Sequence, residues 1–176
     1  MSVPAAQNPD ELFDVVDGND RVIGRATRAE VHARGLFHRA VHIFVFDARG
    51  NVVLQKRSLA KDTAPGLLSS ACAGHVDAGE NYDAAARREL GEELGIPPAA
   101  AGTLKFLFAL PPRAELGWEF VCVYALDFAG TLTPAPAEID ALFAFPPGEV
   151  DRRVRDVPAD FAESFRVVWQ YFRQNF

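Results

Sequence analysis

Apolar residues in this chain recur with two periods, and the switches between them mark out a series of short elements. Residues 12–16 and 21–26 alternate as strands do, and Gly18 and Asn19 between them favour a tight turn. A short helix is expected over 28–33. Residues 41–46 and 52–56 are strands on either side of Asp47, Ala48, Arg49 and Gly50, which reads as a β-hairpin. Residues 58–67, with Pro65 and Gly66, form a loop leading into a strand that ends at Gly74. Residues 84–94 are good helix formers throughout, with Asn81 or Asp83 as N-cap and Gly95 as the stop. Beyond it, 103–110 and 119–126 are β-like and are joined by PPRAELGW, a run of turn formers. A further apolar run covers 141–145. From Asp160 onward, Phe161, Phe165, Val168, Trp169 and Phe172 fall at helical spacing, so an amphipathic helix packs its aromatic stripe on the core. Strands interleaved with helices in this order predict an α/β (α+β) fold: an α/β/α sandwich around a mixed sheet, with an N-terminal β-hairpin extension.

Composition narrows the picture without changing it. A chain of 176 residues that is 49% hydrophobic can bury a single sizeable core. Residues 1–8 read as a mobile tail and 9–176 as one domain. The net charge of −6 argues against general affinity for nucleic-acid polymers. Two cysteines, Cys72 and Cys122, make no disulfide framework, and the N-terminus shows neither a signal peptide nor a spanning segment. The expected setting is therefore a reducing cytoplasm, with no membrane partner. An exposed N-terminal hairpin offers an edge for pairing with a second chain, so a homodimer is a further expectation.

The chemistry is concentrated in residues 74–96, GHVDAGENYDAAARRELGEELGI. At 3.6 residues per turn Glu89, Glu92 and Glu93 fall within roughly 100° of arc, while the neighbouring sector carries Leu90 and Leu94. The leucines give the helix a stripe to dock on a sheet, leaving the acid face open. Carboxylates this close repel one another unless a cation lies between them, and hard oxygen donors suit Mg2+ or Mn2+. A solvated face with pairs such as Arg88 and Glu92 is the alternative for a generic charged helix.

The surrounding pattern decides between these. The stretch fits G-x(5)-E-x(7)-R-E-U-x-E-E-x-G-U, with U aliphatic, at Gly74, Glu80, Arg88, Glu89, Leu90, Glu92, Glu93, Gly95 and Ile96. A chance match in a chain of this length is on the order of one in ten million. The chain resembles a Nudix hydrolase. The resemblance implies that Glu89, Glu92 and Glu93, with the backbone carbonyl of Gly74, hold Mg2+ or, in its place, Mn2+. It also implies that Glu80 pairs with Arg88 and steadies the loop over the helix. The implied reaction is hydrolysis of a diphosphate linkage in a nucleoside di- or triphosphate or a related derivative. For the group that activates water, Glu115, Glu119, Glu138 and Asp140 are downstream candidates, Glu119 by its place at the mouth of a strand and Glu115 by lying in a loop that could close.

A narrower resemblance points to other chemistry. The run from Glu11 to Ser58 is similar to the N-terminal part of isopentenyl-diphosphate isomerases and of hydrolases close to them. It implies that His32, His38 and His75 join acids in holding a second metal and that Glu119 stands where a catalytic glutamate lies. The isomerase pattern also has a catalytic Cys immediately before the Gly-His pair. That position is Ala73 here, and Cys72 is one residue early, which in an extended segment turns a side chain to the other face. Hydrolase is therefore the expected class. An isomerase and a non-catalytic nucleotide-binding module are the alternatives, and an intact set of mutually repelling carboxylates argues against the module.

For the substrate, Arg57, Lys61 and Arg113 are candidate phosphate ligands, and Phe46, Phe108, Trp118 and Phe120 are candidate stacking platforms for a base. The pattern specifies a small-molecule diphosphate and leaves the rest of the substrate undefined.

Overall fold

The computed structural model of the protein describes residues 7–102 and 104–176. A seven-stranded mixed sheet lies between two helical layers, and a separate two-stranded hairpin is attached near the N-terminus. The hairpin pairs β1 (Leu12–Val16) with β2 (Val22–Thr27), and α1 (Arg28–Arg34) follows directly. The main sheet contains β3 (His38–Phe46), β4 (Val52–Arg57), β5 (Leu68–Ser70), β6 (Cys72–His75), β7 (Lys105–Leu110), β8 (Glu119–Asp127) and β9 (Ile139–Phe145). Helix α2 (Tyr82–Leu94) covers one face, and α4 (Glu163–Asn175) covers the other; α3 (Pro147–Asp156) precedes α4.

Strand β3 is the spine. It runs parallel to β8 along its whole length, and its alternate side chains enter different cores. Val41, Ile43 and Val45 meet Ala85, Ala86, Leu90 and Leu94 of α2, whereas Ala40 and Phe44 meet Phe165, Val168 and Trp169 of α4. Full burial of side chains such as Leu90 or Phe165 contributes roughly 1.5–3 kcal/mol each. Helix α2 is bounded by local chemistry: the Asn81 side chain accepts from Ala84 N at 2.9 Å, and Gly95 closes the helix with φ of 67°. Asp83, the other expected cap, instead accepts from the Tyr124 hydroxyl at 2.6 Å.

The predicted hairpin of β3 and β4 forms, but only at its turn. Val45 pairs with Val53 and Phe46 with Val52, after which the strands diverge. Strand β6 continues along β3, β5 continues along β4, and the bend at Ala71 joins them. This splay opens a wedge in the sheet, and α2 lies across it. The N-terminal hairpin is fastened beside the same wedge. Phe13 bridges Asp77, Ala78 N donates to Leu12 O at 2.9 Å, and Gly79 N donates to the Asp14 carboxylate at 2.8 Å.

Of the expected N-terminal tail, residues 1–6 lie outside the described residues. Gln7 is engaged, its side chain accepting from Asp62 N at 2.9 Å. Thr103, the expected first residue of β7, is likewise outside them. Helix α3 was not anticipated from the sequence, and the single strand expected to follow the 58–67 loop and end at Gly74 is split at Ala71 into β5 and β6. No helix among the described residues is long and apolar enough to cross a membrane.

Candidate active site

Docking α2 over the wedge carries its acids inward. Glu93 is 2% exposed, and its side chain meets two strands: Gln55 Nε2 of β4 donates to Oε2 at 3.1 Å, while from β6 Ala73 N donates at 3.3 Å and the Cys72 thiol lies against it. Glu89 is pressed on the backbone of β6 so closely that a Cβ on Gly74 would collide with its carboxylate. Only glycine fits there, and this puts a strand backbone directly against a carboxylate. Glu92 keeps 61% of its side chain exposed. The three acids therefore grade from buried to solvated, rather than forming the open face expected from the helical wheel, because the stripe faces the divergence of β3 and β4.

Arg88 organises the rim. Its Nε and Nη2 donate to the two oxygens of Glu80 at 3.1 and 2.9 Å, Nη1 donates to Glu89 at 2.7 Å and to Glu92 at 3.2 Å, and Nη2 also reaches His75 O at 2.9 Å. Burial disfavours its charge, but the surrounding carboxylates outweigh that and raise its pKa.

The acids open into a cavity of about 780 Å³, lined also by Arg28, Arg57, Lys61, His42, Glu115, Glu119 and Glu138. Lys61 is buried, in contact with Glu138 and 3.9 Å from Glu93. Arg57 is anchored on the carbonyl and hydroxyl of Thr63 at 3.0 and 3.1 Å. Arg113 is exposed, 3.9 Å from Glu115, and does not line the cavity, so it is not placed as a phosphate ligand. Asp140 also stays outside, 3.6 Å from Lys56. Nor do the expected stacking rings line it: Phe46 lies on Phe172, Phe108 on Tyr171, and Trp118 and Phe120 group with Phe37.

Donor atoms of His32, His38 and His75 lie within 4.8 Å of one another. His38 Nδ1 is 2.9 Å from Leu36 O, a pure acceptor, so Nδ1 carries the proton in the neutral ring. Its Nε2 is then a bare lone pair, buried without a hydrogen-bond partner and 3.4 Å from Glu119 Oε1. That arrangement suits a metal ligand. His75 is arranged the opposite way. Arg28 Nη1, which can only donate, lies 2.9 Å from Nδ1, so the neutral ring carries its proton on Nε2 and donates to Glu119 at 3.1 Å. Burial pushes His75 down to about 4, against the pull of Glu119. Burial raises the Glu119 pKa, but its two histidine neighbours, His38 and His75, outweigh that and hold the carboxyl well below its usual range. The three histidines thus stand together as a candidate set for a second cation, with the lone pair of His38 free and Arg28 holding His75 in the tautomer that donates to Glu119.

The donor set around Gly74 does fit a hard divalent cation: several carboxylate oxygens and a glycine backbone share one recess. Burial, and then the charge of Glu93, raises the pKa of Glu89 against Arg88; burial raises that of Glu93 against Lys61. The folded, metal-free protein thus holds protons on these acids at pH values where the unfolded chain, ionising near 4.5, has lost them. Stability of the metal-free protein is expected to fall as pH rises from about 5 to 8 and to recover with Mg2+. Urea midpoints in EDTA and in Mg2+ across that range would check this.

A family model described as the NUDIX domain matches residues 36–165, most of the chain and all of the site just described except the segment that precedes β3. The protein belongs to the Nudix family. Among its Nudix relatives, isopentenyl-diphosphate Delta-isomerase 2 of Photorhabdus laumondii is 40% identical over 116 residues, 65% of this chain and 66% of that one. An uncharacterised Nudix hydrolase of Streptomyces coelicolor is 37% identical over 145 residues, 82% of this chain and 80% of the other. The crystal structure of DR0079 from Deinococcus radiodurans superposes with a TM-score of 0.79 at 27% identity, covering 94% of this chain and 99% of that one. Family membership supports a pyrophosphate-hydrolysing role that depends on a divalent metal such as Mg2+ or Mn2+. Isomerase-named relatives stand beside hydrolase-named ones, so the thiol matters. Cys72 is fully buried in the α2-side core and burial raises its pKa strongly, while Ala73 lines the cavity.

Several cavity residues were not singled out from the sequence, among them Arg28, Glu11, His42 and Gln7. Arg28 and Glu11 come from the N-terminal segment, and His42 and Gln7 were hidden because only the tertiary fold brings them to the wedge. A polar His42 inside the apolar run of residues 41–46 was the one local signal.

Proposed function

We propose that the protein is a metal-dependent hydrolase that cleaves a diphosphate linkage in nucleoside di- or triphosphates or related nucleoside diphosphate derivatives. The observation that carries this is the joining, in one cavity, of a carboxylate recess at Gly74, Glu89, Glu92 and Glu93 with the cations Arg57 and Lys61. The four recess residues would hold the metal. Bound there, Mg2+ supplies Lewis-acid neutralisation of the phosphates and lowers the cost of forming hydroxide from water. The chain's own residues do the rest. Arg57 and Lys61 draw the diphosphate toward the recess, and Arg88 keeps Glu89 and Glu92 aligned. Burial of Glu89 and Glu93 excludes water that would screen these charges.

An isomerase reading requires a thiol in the cavity. Cys72→Ala is accordingly expected to leave kcat/KM for hydrolysis within about twofold and to cost about 1 kcal/mol of stability from lost packing.

The test is release of phosphate or pyrophosphate with Mg2+ or Mn2+ from nucleoside di- and triphosphates, nucleotide sugars, dinucleotides and isopentenyl diphosphate, with EDTA as control. Metal-dependent release from one nucleotide class supports the proposal and names the substrate. Silence on all of them, with double-bond migration in the isoprenoid, overturns it.

A further inference from the structure

We propose that Gln55 is a positioning residue that aims the Glu93 carboxylate at the metal, an inference that rests on the hydrolase reading above. Gln55 is fully buried on β4, and its backbone is clamped in the ladder on both sides, opposite Ser69 of β5 and Leu142 of β9. Alternation along β4 sends its side chain to the α2 side with Val53 and Arg57, below Glu93. The amide Nε2 donates to Glu93 Oε2 at 3.1 Å and lies 3.4 Å from Ala71 O. Ala73 N donates to the same carboxylate oxygen at 3.3 Å. One oxygen of Glu93 is thereby anchored by two donors on two strands. The other, Oε1, is the one turned toward Lys61 at 3.9 Å. A glutamate has three rotatable side-chain bonds, and anchoring one oxygen fixes where the second must point.

The other end of the amide shows that packing alone does not explain this residue. Gln55 Oε1 is buried and has no hydrogen-bond partner among the described residues. An unpaired buried acceptor carries a desolvation penalty that an apolar side chain of the same shape would avoid. Turning the amide over gives no relief, since its oxygen would then face the Glu93 carboxylate and the Ala71 carbonyl, both acceptors. The amide is oriented by Glu93.

Gln55→Met keeps the shape of the side chain and removes the donor. Mn2+ binding, followed by the EPR signal of free Mn2+ with no substrate present, is expected to weaken about 10- to 100-fold. Melting of the metal-free variant is expected close to the wild-type temperature, because the unpaired acceptor is removed together with the donor to Glu93 and Ala71 O. Activity at low Mn2+ should drop and partly recover as Mn2+ is raised. Wild-type Mn2+ affinity together with a lower melting temperature would assign Gln55 a purely structural role and overturn the proposal. If Gln55→Met does not fold, Gln55→Glu replaces the donor with a second acceptor, and unchanged Mn2+ affinity in that variant overturns the proposal equally. Glu93→Gln separates the two levels. If it loses Mn2+ while Gln55→Met does not, only the role of Gln55 fails; if Glu93→Gln also binds Mn2+ normally, the metal site itself is wrong.

Discussion

Glu93→Gln is expected to lower kcat by about a thousandfold while leaving the metal-free protein as stable as wild type or more so. The two effects have one cause. Glu93 is 2% exposed, and burial raises its pKa even with Lys61 opposing, so the ionised carboxylate is a cost to the fold that the metal offsets when it binds. A neutral amide of the same size removes that cost, and the donors from Gln55 and Ala73 retain an oxygen to meet. Lys61 does not become an orphan, because it keeps Glu138. What is lost is the anionic oxygen presented to the cation. Steady-state kinetics with Mg2+, paired with thermal melts in EDTA, would show both halves. A fully active Glu93→Gln enzyme would sink the mechanism.

Glu92→Gln provides a graded comparison. Its side chain is 61% exposed and tied only to Arg88, so its charge costs the fold little and the substitution should scarcely change stability in EDTA. A stability gain at Glu93 and none at Glu92 would trace the gradient of burial along α2.

Much of this arrangement was legible in the chain because the chemistry and the helix coincide: the acids, Arg88 and the capping residues all lie within one stretch. What the sequence concealed is tertiary. The burial of Glu89 and Glu93 follows from the divergence of β3 and β4, and an apolar pattern cannot report that two strands part after two residue pairs. Strand β3 begins at His38, ahead of the expected Val41, because His38 and Arg39 are polar residues whose partners, Glu119 and Asp20, come from elsewhere. Helix α3 escaped notice for the opposite reason. Its one buried residue is Val150, and the rest of PGEVDRRVRD is a charged face held by pairs such as Arg153 with Glu149 at 2.7 Å. Gln55 looked like an ordinary polar interruption of a strand until Glu93 was placed above it.

Arg88→Met should combine both kinds of damage, costing about 2–3 kcal/mol of stability and about a hundredfold in kcat. The guanidinium donates to Glu80, Glu89, Glu92 and the His75 carbonyl at once, with 25% of its side chain exposed. Methionine fills the volume of the stem but leaves two largely buried carboxylates, Glu80 and Glu89, without their shared cation, and the penalty should grow as pH rises through the raised pKa of Glu89 and that carboxylate ionises. Arg88→Lys is not a conservative repair. An ammonium is a point charge and cannot hold both oxygens of Glu80 while also reaching Glu89. Stability should therefore return in part, since charge is restored, while kcat stays low, since Glu89 is no longer aligned beside Gly74. Kinetics and urea melts on Met, Lys and wild-type proteins would separate the charge of Arg88 from its geometry. If Arg88→Lys recovers full turnover, charge alone is enough, and the planar reach of the guanidinium is not what organises this site.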